Sequence, residues 1–219
     1  MSAFPTALVI VGGDDIHHDL IAGSLSFQAT GLAAGFRTRR AVGLQRFIDG
    51  KPFTLDNDIF VIYSSGAAFS PDEQIALTRL VESGAGLVAL HCSNVVPGPG
   101  ASDYSVWTSL LGNRYLSHGP GPHESYQEIS VTREHPAANG VSRSFRLWDE
   151  HYEIEFTGSG HEVIAERHRA DGSLAPVMYV KTHGAGRVVY LALGHDARSW
   201  EEPMFKQLLT QSMSWAARR

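Results

Sequence analysis

The 219 residues contain a single cysteine, Cys92, which excludes an intramolecular disulfide and any zinc site built from thiolates alone. A reducing compartment follows, and a cytoplasmic location is expected. Positive charge is scarce: lysine and arginine total 18 against 23 aspartates and glutamates, a formal charge of −5 with histidine neutral. No broad cationic field is present to attract phosphate backbones, so nucleic acid is not an expected partner. Long apolar runs are missing as well. Ala7-Leu8-Val9-Ile10-Val11 stops at Gly12-Gly13, far short of the roughly 20 residues of a spanning helix, and no basic stretch of the signal-peptide kind precedes it. No membrane association is expected. No internal repeat or low-complexity segment is present.

What remains is a globular composition, 43% apolar and 19% charged, enough to bury a sizeable core. At roughly 150 residues per domain the length fits one domain, expected to span residues 1–219. The continuous apolar run Ala7–Val11 reads as a strand buried on both faces. A helix from Asp19 follows, with Gly35 where its C-terminal cap belongs, then strands over Phe36–Val42 and Asp58–Tyr63. Ser70 as N-cap, Pro71 at the first helical position and Glu73 two residues later mark a helix that Gly84 closes. Gly86–Leu90 is the next strand. Strands alternating with helices over ninety residues call for a parallel sheet covered on both faces, with ligands beyond the carboxyl ends of its strands. The segments to search are therefore Gly12–Asp19, Ser64–Phe69 and His91–Pro99.

Beyond Ser93 the texture changes. Val95–Gly100 is rich in proline and glycine, Trp107–Leu111 reads as a short helix, and Leu116–Ser125 reads as a loop. Strands are expected over Glu128–Thr132, Glu153–Phe156, Glu162–Glu166, Val177–Lys181 and Arg187–Leu193, and a closing amphipathic helix over Met204–Ala217. The fold class is α/β, with additional β-strands in the C-terminal half.

Histidine is the residue in excess, 11 in all, and four histidine-bearing segments fall at strand ends or just beyond: His17-His18-Asp19, His91-Cys92-Ser93, Asp149-Glu150-His151-Tyr152 and Gly194-His195-Asp196. Neutral imidazoles with one carboxylate suit zinc or another divalent metal and leave positions open for water and substrate. The candidate ligands are His18, His91, Glu150 and His195, on four segments that only the fold can bring together; Glu150, His18 and His195 are also the catalytic candidates. Asp19 and Asp196 read first as helix N-caps and otherwise as substrate-binding or second-layer positions. His118 joins Tyr152 among the substrate-binding candidates, because the Gly/Pro loop that carries His118 and His123 is placed to fold over a pocket. Cys92 is a weak nucleophile candidate, since His91-Cys92-Ser93-Asn94-Val95 lacks the small residues a nucleophile elbow requires. Of Trp107, Trp148 and Trp200, at least two are expected in the core rather than under a sugar ring.

At these residues the chain resembles the ThuA-like family, named for a trehalose-utilisation protein and related in fold to class I glutamine amidotransferases. The resemblance rests on Gly86-Leu87-Val88-Ala89-Leu90-His91, Trp107 through Leu111-Gly112, Glu134-His135-Pro136, Asp149-Glu150-His151-Tyr152, and Gly186-Arg187-Val188-Val189-Tyr190 leading to Leu193-Gly194-His195-Asp196 and Trp215-Ala216. It implies a flavodoxin-like, amidotransferase-like, mostly parallel sheet with helices on both faces, and a role in sugar catabolism beside dehydrogenases that make 3-keto sugars. The family's histidine-acid pair matches His18-Asp19, its Leu-His matches Leu90-His91, and its later motifs match Asp149–Tyr152 and Gly194–Asp196. The amidotransferase relatives carry a cysteine on the elbow; here Cys92 lies one residue past the matching histidine, which disfavours a glutaminase.

The expected function is thus a sugar-catabolic enzyme acting on a keto-sugar or glycoside derivative, by 3-keto-glycoside cleavage or isomerisation, assisted by a divalent metal such as zinc or manganese. No nucleotide cofactor is expected, and a homo-oligomer stays open beside a monomer. The alternatives are a non-catalytic sugar-binding or regulatory domain, and a hydrolase dependent on Cys92.

Overall fold

The computed structural model describes residues 4–13, 16–66, 69–96 and 103–219. Parts of the segments singled out above, 14–15, 67–68 and 97–99, and most of the Pro/Gly-rich stretch after Val96, lie outside the described residues.

The N-terminal half follows the expected alternation: β1 (Thr6–Gly13), α1 (Leu20–Ala33), β2 (Arg37–Val42), the single turn α2 (Pro52–Leu55), β3 (Ile59–Ser65), α3 (Pro71–Glu82) and β4 (Gly86–Leu90). Ala7 to Val11, Ile59 to Tyr63 and Leu87 to Leu90 have essentially no exposed surface, as strands sandwiched between helices require. β1 pairs in parallel with β2 on one side and β3 on the other, and β3 pairs in parallel with β4. The chain therefore moves outward in opposite directions from β1 and from β3. Right-handed crossovers then put α1 and α3 on opposite faces of the sheet. α3 carries the capping box read from sequence: the Ser70 hydroxyl accepts from Glu73 N at 3.3 Å, and Ser70 N donates to the Glu73 carboxylate at 2.7 Å.

After β4 come α4 (Ser105–Leu111), β5 (Asn113–Ser117), β6 (Glu124–Val131), β7 (Ser144–Glu150), β8 (Glu153–Phe156), β9 (Glu162–His168), β10 (Leu174–His183), β11 (Gly186–Leu191), the single turn α5 (Ala197–Trp200) and α6 (Pro203–Ala216). One nine-stranded sheet runs β2-β1-β3-β4-β11-β10-β9-β6-β7, and β5 and β8 form a separate ribbon. β11 is parallel to β4, and every pairing beyond it is antiparallel. The sheet is thus parallel where the helices cover it and antiparallel in the added C-terminal strands. α6 packs on β4 and β11 and also touches α1, whereas α3 packs on α4.

Two expectations are corrected. The loop expected over Leu116–Ser125 is shorter, because β5 continues to Ser117 and β6 begins at Glu124, leaving 118–123 between them. β7 was not expected at all, although Phe145, Leu147 and Asp149 are buried in alternation with more exposed neighbours. Its period-2 signal is real but is broken into charge at Asp149-Glu150.

The β6–β7 hairpin matters most for position. β6 pairs with β9 only from Ile129 to Val131, yet with β7 from Ser130↔Ser144 to Glu124↔Glu150. Its far end therefore leaves the sheet as a two-stranded arm. The arm is fastened to α5, where the Ser199 hydroxyl donates to the Trp148 carbonyl at 2.6 Å.

β8 is tied to β9 by charge. Glu153 hydrogen-bonds Arg167 and Arg169, and the Arg167 side chain is only 5% exposed. The hydrogen bond from Arg169 foremost, with the charge of both guanidiniums, outweighs burial and holds the Glu153 carboxyl below its usual range. Glu153→Gln strands a buried guanidinium and is expected to cost about 3 kcal/mol in urea unfolding at pH 7. Because the folded pKa is depressed, the wild-type advantage is full above the unfolded value of about 4.3 and shrinks as pH falls through the folded value. A gap between the two proteins that stays the same down to about pH 2 would contradict this account.

Candidate functional site

β1, β4 and β11 are mutually parallel, so their carboxyl ends share one edge of the sheet, and His18, His91 and His195 follow those three ends. His18 immediately precedes the N-cap of α1. His91 opens the turn after β4 at φ +43, a left-handed conformation rare for a residue with a side chain. Such strain is maintained only where the surroundings over-determine it. Here the His91 carbonyl accepts from the Tyr190 hydroxyl at 2.9 Å, and its Nδ1 lies 2.7 Å from the Ala192 carbonyl. A carbonyl can only accept, so Nδ1 carries the proton and Nε2 faces the site. Tyr152 stacks on the ring at 4.2 Å.

His195 is set by Gly194, whose φ of +110 turns the chain and whose added Cβ would lie 3.0 Å from the Phe205 ring. The Tyr63 hydroxyl donates to the His195 carbonyl at 2.9 Å. The turn meets the end of the β7 arm at Asp149. This fully buried carboxylate accepts from Gly194 N at 2.7 Å, His195 N at 3.2 Å, Glu150 N at 2.9 Å and the Ser199 hydroxyl at 2.9 Å. Burial pushes its pKa up, against the pull of the His91 charge and these donors. Asp149 thus bolts Glu150 to His195, a role that sequence reasoning missed. β7's alternation, which places Asp149 on the buried face of Phe145 and Leu147, was the available signal.

Glu150 is the centre of the cluster. Its Oε2 lies 3.1 Å from His91 Nε2, 3.3 Å from His118 Nε2, 3.5 Å from His195 Nδ1 and 3.9 Å from His18 Nε2. Burial would raise the Glu150 pKa, but the hydrogen bond and charge of His91, with the charges of His195 and His118, hold it at about 2. His91 is raised: burial opposes its charge, while Glu150, Asp149 and the Ala192 carbonyl favour it. His195 is lowered by burial foremost and by the His91 charge, which leaves it a neutral lone-pair donor. One donor atom from each of His18, His91, Glu150 and His195 lies within 4.8 Å of the others. The four residues named as candidate ligands are therefore brought together.

The remaining candidates divide. His118 and Tyr152 line a cleft of about 310 Å³ beside the cluster, together with Tyr115 and His123, although Tyr152 is only 3% exposed. Asp19 and Asp196 are N-caps: Asp19 accepts from Ala22 N at 2.9 Å and Asp196 from Arg198 N at 2.8 Å. A second acidic group, Glu124 with His195 and Asp196, is already served by a cation, because Arg198 pairs with both carboxylates. Cys92 is fully buried and does not line the cleft, and the Ser93 hydroxyl donates to the Ile62 carbonyl inside the sheet. Neither is presented as a nucleophile. Trp107 and Trp200 are core residues, whereas Trp148 is half-buried under the Arg198 guanidinium.

Comparison with known proteins agrees with this architecture. A family model described as trehalose utilisation, ThuA, matches residues 6–216. A solved structure described as ThuA-like from Parabacteroides merdae superposes with a TM-score of 0.77 at 16% identity, covering 98% of this chain and 90% of that one. A second, from Bacteroides uniformis, gives 0.77 at 15% identity, covering 99% and 93%. A GMP synthase component from Thermoplasma acidophilum gives 0.60 at 10% identity, covering 99% and 96%. At such identities the solved structures establish the fold alone. No curated protein matches.

Proposed function

The chain belongs to the ThuA family of trehalose utilisation, and on that premise we propose that it is a sugar-catabolic enzyme, one ThuA-like domain acting on a keto-sugar or glycoside derivative with the help of a divalent metal. The reaction is cleavage or isomerisation of a 3-keto-glycoside. The observation that carries the reading is the convergence of three imidazoles and one carboxylate within 4.8 Å at the carboxyl edge of the sheet, beside a cleft.

The residues fit a metal. Three nitrogens and one carboxylate oxygen are the donor set of zinc and manganese sites with open positions. His91 has its tautomer set by the Ala192 carbonyl, the arrangement that directs the opposite nitrogen at a metal. His195 Nδ1 is buried within the cluster with no hydrogen-bond partner. When bound, the metal supplies a Lewis acid that favours negative charge on a substrate carbonyl oxygen. A ring carbonyl acidifies the neighbouring C–H, so removal of that proton is the step the site must support. His18, His91 and His195 hold the metal or polarise the carbonyl, Glu150 is ligand or base, and Tyr152 keeps the His91 ring in place. His118 faces the substrate from the cleft wall. Asp19 and Asp196 act through the loops that they cap.

Among the described residues no helix is long and apolar enough to cross a membrane. Together with the single buried cysteine, this supports a cytoplasmic enzyme with a small sugar as its partner.

The test is turnover of methyl 3-keto-glucoside followed by NMR. Cleavage or isomerisation is expected in protein loaded with zinc or manganese, with loss on chelation and recovery on adding the metal back. Equal turnover before and after chelation would contradict the metal, and no turnover by loaded protein would contradict the substrate class.

A further inference from the structure

His118 belongs to the loop 118–123 between β5 and β6 and is not among the four clustered ligands. Its Nδ1 lies 2.8 Å from the Tyr115 hydroxyl oxygen. Its Nε2 is buried 3.3 Å from Glu150 Oε2 and has no hydrogen-bond partner. His123 stacks on the ring at 4.6 Å and 12°, and Tyr152 meets it edge-on at 5.5 Å. The imidazole is thus held by Tyr115, His123 and Tyr152, with one nitrogen at the mouth of the cluster. Of the imidazoles lining the cleft, His118 is the one that reaches the Glu150 carboxylate without belonging to the ligand group.

We propose that His118 is the proton carrier of the reaction and that Tyr115 is the residue that positions it. The assignment rests on the keto-glycoside reading above and separates two roles that reading leaves joined: Glu150 holds the metal, and His118 moves the proton. Four imidazoles surround one carboxylate oxygen, and a carboxylate committed to a cation is a poor base. Burial foremost, and the Glu150 charge after it, raises the Tyr115 pKa, so the phenol stays neutral and its oxygen accepts from Nδ1–H. Nε2 then carries the lone pair toward the cleft.

In the elimination, Nε2 takes the proton from the carbon beside the carbonyl. The C–H pair forms a carbon–carbon double bond, and the carbonyl π pair moves to oxygen. That pair then re-forms the carbonyl as the glycosidic C–O bond β to it breaks. The departing oxygen recovers the proton from Nε2–H, while Nδ1–H stays on Tyr115. An unsaturated ketone and an alcohol result, and His118 ends as it began.

The experiment compares wild type, His118→Gln, His118→Ala and Tyr115→Phe by metal content and by methanol release from methyl 3-keto-glucoside. His118→Gln is expected to keep the wild-type metal stoichiometry while kcat falls by about 10²–10⁴-fold. Free imidazole is expected to restore part of the His118→Ala rate, and Tyr115→Phe to lower kcat by about tenfold with KM unchanged. Methanol release by His118→Gln within about threefold of wild type, or metal lost in step with rate, would overturn the assignment. Metal-loaded wild type that leaves the probe intact would remove the keto-glycoside reading and this assignment with it, a result distinct from active variants beside an active wild type.

Discussion

Glu150→Gln is expected to weaken zinc or manganese binding by more than the 10–100-fold typical of changes one layer outside a metal site, and to abolish turnover of a 3-keto-glycoside. The amide keeps the size and shape of the side chain but loses the charge on which His91, His118, His195 and His18 converge. That charge is strongly maintained, because the surrounding imidazoles hold the carboxyl at about 2 despite its burial. A divalent cation replaces the positive charge that His91 otherwise supplies. Glu150 stands at the end of β7 rather than in the core, so melting within a few degrees of wild type is expected, and the loss is one of binding. Metal affinity within about threefold of wild type would remove Glu150 from the ligand set.

Asp149→Asn is the second large effect, and it acts on fold and site together. The carboxylate receives four donors: the backbone N–H groups of Gly194, His195 and Glu150, and the Ser199 hydroxyl. An amide offers one oxygen and turns an NH2 toward the remaining donors. Two hydrogen bonds to a charged group, at about 1.5–3 kcal/mol each, are lost. Relief of burying a charge that desolvation already disfavours offsets part of this. The expected net cost is about 3 kcal/mol in urea unfolding. Because Asp149 bolts the β7 arm to the Gly194–His195 turn, metal affinity is expected to fall by about 10–100-fold as well. Unchanged metal affinity in a destabilised but folded variant would limit Asp149 to stability alone.

These two neighbours were not equally legible in the sequence. The parallel half declared itself through Ala7–Val11, Ile59–Tyr63 and Leu87–Leu90, runs apolar at every position because both faces are covered. The capping box at Ser70 placed α3 to the residue. His18, His91 and His195 were legible because each directly follows a parallel strand, where the topology alone puts a side chain at the ligand edge. Glu150 was named from its segment, and the path that delivers it was not. β7 is the ninth strand in the sheet order and β4 the fourth, so the contact between His91 and Glu150 depends on the β6–β7 arm swinging away from β9. No local pattern encodes that departure, which follows from where β9 stops pairing with β6. Asp149 escaped for the same reason: a carboxylate between a half-buried tryptophan and another carboxylate looks like a solvated end until β7 is recognised. His118 was expected to fold over a pocket, and its loop does line the cleft; the Tyr115 contact that orients the ring appears only once β5 is seen to extend to Ser117.

The central claim is that His18, His91, Glu150 and His195 form one metal site. Elemental analysis of protein purified without a histidine tag, incubated with zinc or manganese and gel-filtered, tests it most directly when wild type is run beside His91→Ala and Glu150→Ala. The account predicts close to one metal ion per chain in wild type and a fall in both variants. Wild type that emerges without metal, or variants that retain as much as wild type, would contradict it.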